Sequence, residues 1–149
     1  TLYVEPAQGS FSAATQSKGV TYLNQTAELP FTPKYMLGVR LRADNSDGFG
    51  PWNGVWRKDT NGWVLQTRWR AAKDYFVAGD KHTISYRVHR AELGWPQRIR
   101  LAGHLVNGVA ANEWKVTVPS NHTPWKASNT GYYEIVLGSQ KAVSVWTKK

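Results

Sequence analysis

The sequence predicts an all-β protein, an antiparallel β-sandwich or jelly roll, with a β-barrel as the alternative. Apolar and polar residues alternate with a period of two in several separate segments. Turn-forming pairs such as Asn61-Gly62 and Asn107-Gly108 stand between these segments, and helical periodicity is nearly absent. Seven or eight short strands separated by turns are typical of a sandwich or jelly roll.

The alternation is clearest in residues 35–43, where Tyr35 and Leu37 fall on one face and Arg40 and Arg42 on the other. The other predicted strands lie at 20–23, 63–70, 82–90, 98–101, 113–118, 132–137 and 142–147. Each has one apolar and one polar face, which predicts half-buried antiparallel strands. Residues 70–76 are the only helix candidate, and we expect one short helix or turn there.

A single domain over residues 1–149 is predicted, because this length is typical of one domain and no repeat or linker divides the chain. Residues 1–18 are rich in Ser, Ala, Gln and Gly after Tyr3-Val4, which predicts an arm or an edge strand. No apolar run reaches the ~20 residues of a membrane-spanning helix, so we expect a soluble chain.

The composition restricts the partners that the chain suits. Nineteen Lys and Arg against ten Asp and Glu give a formal charge of +9, which favours phosphate, sulfate or carboxylate groups. The absence of cysteine excludes disulfides, thiol nucleophiles and thiolate metal sites. A glycan or another polyanion is therefore the expected partner. Nucleic acid and a homo-oligomer are open alternatives, and a membrane surface is less favoured.

Tryptophans in polar segments are the first candidate binding residues. Residues 44–62 are predicted to be largely surface loop, yet they contain Trp52 and Trp56. An indole ring suits stacking on a sugar ring or a base, and the neighbouring Asn53 can supply hydrogen bonds. Trp125 lies in a second polar segment, at 120–126. The alternative is that these tryptophans fold back and close the end of the core.

Arginines on the polar faces of the strands are the second candidate set. Seven of the nine arginines stand opposite apolar residues in or directly beside the predicted strands, and a histidine does the same. These residues are Arg40, Arg42, Arg68, Arg70, Arg87, Arg98 and Arg100, with His89. If three such strands share a sheet, we expect its outer face to bind acidic groups, because a planar guanidinium pairs with an acid through two N–H groups. The expected contacts are Arg40, Arg42, Arg68, Arg70, Arg87 and His89. The alternative is that the arginines lie on different sheets and pair with carboxylates.

Catalytic motifs are absent from the sequence: there is no nucleophile elbow, phosphate-binding loop or zinc-binding histidine pair. The sequence therefore predicts a binding protein with no metal or other cofactor. A small metal-free hydrolase or nuclease, built from His89, Glu92 and Arg87 or Arg68, is the catalytic alternative.

The leading hypothesis is a carbohydrate- or receptor-binding module that acts outside the cell or on a virion surface. A structural or assembly β-sandwich that contacts nucleic acid or an acidic subunit is the second. A membrane-surface or pore-forming toxin is the third.

Overall fold

The structure is a computed structural model, which describes residues 1–22, 25–41, 52–71, 73–80, 83–106, 114–119, 131–138 and 145–146. Twelve strands lie in this part of the chain: β1 (Leu2–Ala7), β2 (Ser17–Tyr22), β3 (Gln25–Leu29), β4 (Tyr35–Gly38), β5 (Gly54–Asp59), β6 (Gly62–Arg68), β7 (Tyr75–Val77), β8 (Ile84–Tyr86), β9 (Arg98–Val106), β10 (Trp114–Val118), β11 (Tyr133–Val136) and β12 (Val145–Trp146). A 3-10 helix at Arg90–Leu93 joins β8 to β9.

The named strands pair in antiparallel fashion, which confirms the predicted all-β class with antiparallel sheets. The large sheet has the order β12-β11-β9-β1-β4-β5-β6, and β10 also pairs with β9. Two small sheets, β2–β3 and β7–β8, complete the described strands. The turn predicted at Asn61-Gly62 is confirmed: it closes the β5–β6 hairpin, and Gly62 adopts a φ of 121°.

Two hydrophobic clusters flank the large sheet, one on each face. Tyr3 belongs to one cluster, together with residues of β3 and the segment after it. Val4 belongs to the other, with residues of β7 and the 3-10 helix. Successive residues of a strand point to opposite faces, so neighbours in β1 reach different clusters. For the same reason β4 buries both Met36 and Leu37, although the sequence pattern assigned Met36 to a polar face.

β1 is an interior strand, which corrects the prediction of an arm or edge strand for residues 1–18. It pairs with β4 on one side and with β9 on the other. The apolar pair Tyr3-Val4 is buried on both faces at once, and a strand of this kind shows no alternation.

Two further predictions are wrong in their local structure, and the structure decides between the alternatives of a third. The segment 44–62 contains β5, so Trp56 lies in the sheet instead of in a loop. Of the short helix or turn predicted for residues 70–76, the described residues show the turn, at Lys73 and Asp74, which leads into β7. The strand predicted at 82–90 is only β8, because the chain turns into the 3-10 helix at Arg90.

Arg100 is the polar centre of the Tyr3 face, and the expectation that it points outward is wrong. Its side chain is 6% exposed and forms ion pairs with Glu5 at 3.2 Å and Glu134 at 3.0 Å. The guanidinium also donates to the Ser12 carbonyl oxygen at 3.0 Å and lies 4.3 Å from the centre of the Phe11 ring. These contacts fasten the segment after β1 onto the sheet.

Candidate functional site

Trp52 and Trp56 form a stacked pair at one end of β5. The ring centroids are 5.8 Å apart and the planes differ by 22°. Trp52 is 57% exposed, whereas Trp56 is half-buried and packs against the Tyr3 cluster. The Trp52 indole is therefore exposed to solvent, while the Trp56 indole packs against it from the side of the core.

The sheet fixes the position of Trp56. It pairs with Met36 of β4 on one side and with Leu65 of β6 on the other. Its indole Nε1–H donates to the backbone oxygen of Trp52 at 3.3 Å, which joins the supporting ring to the exposed residue. Because Trp56 is already held in place, it loses little conformational freedom when a ligand stacks on Trp52.

Gly38 makes room for the pair. A β-carbon at this position would lie 3.0 Å from the Trp52 backbone oxygen and 3.8 Å from Trp56 Nε1. A β-carbon here would therefore crowd the Trp52 backbone by a few tenths of an ångström, whereas its contact with Trp56 would be ordinary.

Asn53 supports the site from inside and is not placed to contact a ligand. The residue is 2% exposed. Its Oδ1 accepts the backbone N–H of Arg40 at 2.8 Å, and its Nδ2 donates to the Tyr75 hydroxyl at 3.2 Å. The carbonyl oxygen of Asn53 accepts the N–H of Trp69. The sequence pattern predicts that this amide contacts a ligand. The buried amide instead forms hydrogen bonds within the framework that joins β4, β5 and β7.

Arg40 and Arg68 lie at the same end of the sheet as the two tryptophans. The register aligns Gly38, Gly54 and Arg68 across β4, β5 and β6, and Arg40 follows Gly38 by two residues. Neighbouring strands are ~4.8 Å apart, so this end of three strands spans about 10 Å. Both arginines are exposed. We call Trp52, Trp56, Arg40 and Arg68 the Trp52 platform.

Arg70, Arg87 and His89 lie on other elements. The backbone N–H of Arg70 donates to Asp74 Oδ2 at 2.8 Å, and that of Arg87 donates to the Asp74 carbonyl oxygen at 2.8 Å. His89 precedes the 3-10 helix, where its N–H donates to Glu92 Oε2 at 2.9 Å. The Glu92 carboxylate, which belongs to the catalytic alternative, therefore already accepts a hydrogen bond at the start of the 3-10 helix. The arginines of the described chain consequently divide among several places and do not form one sheet-wide field.

A shallow cleft of about 540 Å³ lies along the β7–β8 sheet. Its lining residues are Lys73, Asp74, Tyr75, Phe76, Ser85, Tyr86, Arg87 and Val88. Burial raises the pKa of the Tyr86 phenol, so this hydroxyl stays protonated at neutral pH. The cleft contains Arg87 but none of the residues of the Trp52 platform.

Two predicted contacts, Arg42 and Trp125, lie outside the described residues. One exposed residue was missed: Trp95 is 65% exposed, more than any other large apolar side chain that the structure describes. The available signal was the string Gly94-Trp95-Pro96, because glycine and proline mark turns and turns lie at the surface.

The described residues contain no cluster of three or more His, Asp or Glu side chains that suits a metal ion. In the same part of the chain, no helix is long and apolar enough to cross a membrane. Comparison with protein-family models, curated proteins and solved structures finds no match for this chain.

Proposed function

We propose that this chain is a non-catalytic binding module of the β-sandwich kind that recognises an acidic saccharide on the Trp52 platform. The observation that carries the proposal is the stack itself: Trp52 exposes one indole surface while Trp56 holds it from the sheet. The apolar face of a sugar ring covers such a surface. By analogy with bases on aromatic side chains, one stacking contact contributes about 1–3 kcal/mol.

Arg40 and Arg68 supply the preference for an acid group. Both are exposed at the platform, and the chain carries a formal charge of +9. A guanidinium binds a carboxylate or sulfate through two parallel N–H groups, which adds orientation as well as energy. Asn53 stabilises the framework in this proposal and Trp56 supports the stack, so Trp52 is the residue that touches the sugar.

Acidic saccharides are abundant on cell surfaces, so the proposed place of action is outside the cell or on a virion surface. Arg42 and Trp125 stay predictions as further contacts. Contact with nucleic acid is the competing function, and the test below distinguishes it by its dependence on salt.

The test is a site-resolved NMR titration of the indole N–H signals with a heparin-derived tetrasaccharide. We expect the Trp56 signal to move on binding. Trp52→Ala should weaken binding at this site by roughly 5- to 150-fold, the equivalent of one stacking contact. Phe76→Ala is the matched control, since Phe76 is also 57% exposed but lies on β7. A Trp56 signal that does not respond to the probe in the unmodified protein would overturn the proposal.

The charge preference is tested with Arg40→Ala and Arg68→Ala. Arg57→Ala is the control, because it removes the same charge from an exposed position on β5 that is not part of the Trp52 platform. We expect the first two to weaken binding of the tetrasaccharide, and the control to leave it almost unchanged. An acidic saccharide held by two arginines gives a log–log salt slope of about 1–2. A slope near 6 or more with an oligonucleotide, and no binding of the tetrasaccharide, would favour nucleic acid instead.

A further inference from the structure

Trp95 has an unfavourable backbone conformation and an exposed side chain. Its φ is 56°, in the left-handed region, where a β-carbon crowds the backbone. At 65% exposure, the indole gains little burial in return. Conformations of this kind cluster at functional sites because the surrounding structure maintains them there against their cost.

Hydrogen bonds within its own turn hold Trp95 in this conformation. The N–H of Trp95 donates to the Arg90 carbonyl oxygen at 3.0 Å, and Gly94, with a φ of 75°, ends the 3-10 helix. The Arg90 Nε–H donates to the Pro96 carbonyl oxygen at 2.6 Å, which closes the turn from the other side. We call residues 90–96 the Trp95 turn.

Contacts to the rest of the fold fix the turn in place. The Gln8 side-chain amide donates to the Gly94 carbonyl oxygen at 2.9 Å, and the N–H of Gln97 donates to the Ala7 carbonyl oxygen at 2.8 Å. Leu93 is buried in the Val4 cluster. The indole of Trp95 is therefore presented on a rigid support.

The groups around Trp95 suit an acidic sugar. In the described part of the chain the two terminal nitrogens of Arg90 make no hydrogen bond, which leaves them available to a ligand at the same turn as Trp95. Gln97 and Arg98 are exposed next to the turn, and the Glu92 carboxylate is engaged by the His89 N–H. A protein interface needs roughly 800 Å² per partner with an apolar centre, whereas one indole with polar neighbours matches a single sugar ring.

The Trp95 turn lies at the end of the sheet opposite the Trp52 platform. Leu2, at the start of β1, pairs with Leu37, the neighbour of Gly38. Ala7, at the end of β1, pairs with Arg98. Five steps of ~3.3 Å separate the two ends of the strand, so the sites are about 17 Å apart along β1 and cannot hold the same sugar ring.

We propose that Trp95, with Arg90, forms a second and independent site for an acidic saccharide, which makes the module bivalent. The ligand class rests on the function proposed for the Trp52 platform; the existence of the site rests on the Trp95 turn. On a glycan-coated surface, two sites at opposite ends engage separate chains, and the second binding event benefits from a high effective concentration.

Calorimetric titration with two short probes tests this inference: a heparin-derived tetrasaccharide, which carries sulfate, and sialyllactose, which carries only a carboxylate. With the probe that binds, we expect a stoichiometry of two. Trp95→Asn and Trp52→Ala should each reduce it to one, and the double variant should reduce it to zero. The probe that binds identifies which acid group the sites recognise.

Thermal unfolding of Trp95→Asn separates a binding role from a structural one. Asparagine adopts the left-handed region more readily than tryptophan, so we expect a Tm equal to or above that of the unmodified protein. A lower Tm would assign Trp95 a structural role and overturn the inference.

The failures of the two proposals are distinguishable. A stoichiometry of one that Trp52→Ala abolishes and Trp95→Asn leaves unchanged would overturn the second site alone. A stoichiometry of one with the opposite pattern would overturn the Trp52 platform and retain the Trp95 site. No binding of either probe would overturn both.

Discussion

The two ends of β1 each expose a tryptophan, but the fold supports them by different means. At the Trp52 platform, one indole rests on another, and Trp56 is fixed by strand pairing with its neighbours. At the Trp95 turn, no aromatic ring of the described residues stacks on the indole, and hydrogen bonds from the backbone and from the Arg90 and Gln8 side chains fix the turn.

The Trp52 platform therefore requires the assembled fold, whereas the Trp95 turn is formed largely by residues adjacent in the chain. The platform depends on β4, β5 and β7, which Asn53 joins although they are distant in sequence. The turn is built within residues 90–96, and Gln8 and the buried Leu93 connect it to distant residues. Damage to the core should therefore affect the platform first, and damage to the turn should leave the platform intact.

The largest expected effect comes from the ion cluster that lies between the two ends. Arg100→Ala leaves Glu5 and Glu134 without their shared cation, and loss of one partner of a buried ion pair costs about 3–5 kcal/mol. We expect this decrease in the free energy of unfolding by urea denaturation. Arg98→Ala, on the same strand but exposed, is the matched control and should change it by less than ~0.5 kcal/mol. A loss below 1 kcal/mol for Arg100→Ala would contradict a stabilising role for the cluster.

The second effect is a loss of stability in acid that comes from the buried His104 of β9. Burial, with a smaller contribution from the N-terminal amine of Thr1, lowers the pKa of His104 from 6.5 to about 2. Below pH 6.5 the unfolded chain binds a proton that the folded chain does not, so this stability is complete above pH 6.5 and falls as the pH falls. One pH unit corresponds to about 1.4 kcal/mol, which gives a loss of about 3 kcal/mol at pH 4.

His104→Asn should flatten this pH dependence, measured as the free energy of unfolding between pH 7 and pH 4. His89→Asn is the control, because His89 is exposed and should leave the slope unchanged. Equal slopes in the two variants would contradict the assignment to His104.

The smallest effects compare the anchors of the two ends directly. Asn53→Ala removes two hydrogen bonds of a buried amide and should lower the free energy of unfolding by about 2–3 kcal/mol. Arg90→Ala removes one partly buried bond to Pro96 and should cost about 1 kcal/mol.

In NMR spectra, Asn53→Ala should shift the Trp56 indole signal and leave that of Trp95 in place. Arg90→Ala should do the reverse. If either variant moves both signals, the two ends are coupled and the comparison between a local and an assembled site fails.

Some features of this protein were determined by the sequence alone. Period-two alternation and turn residues predict strands and the Asn61-Gly62 hairpin because both depend on residues adjacent in the chain. The excess of arginine and lysine likewise predicts acidic partners from composition alone.

Tertiary structure alone decided which side chains meet. Alternation shows that Arg98 and Arg100 share a face, but only the pairing of β9 with β1 and β11 brings Glu5 and Glu134 to Arg100 and buries it. Asn53 likewise resembles a loop amide until strand pairing encloses it. Burial depends on which distant strands become neighbours, and no pattern along one segment contains that information.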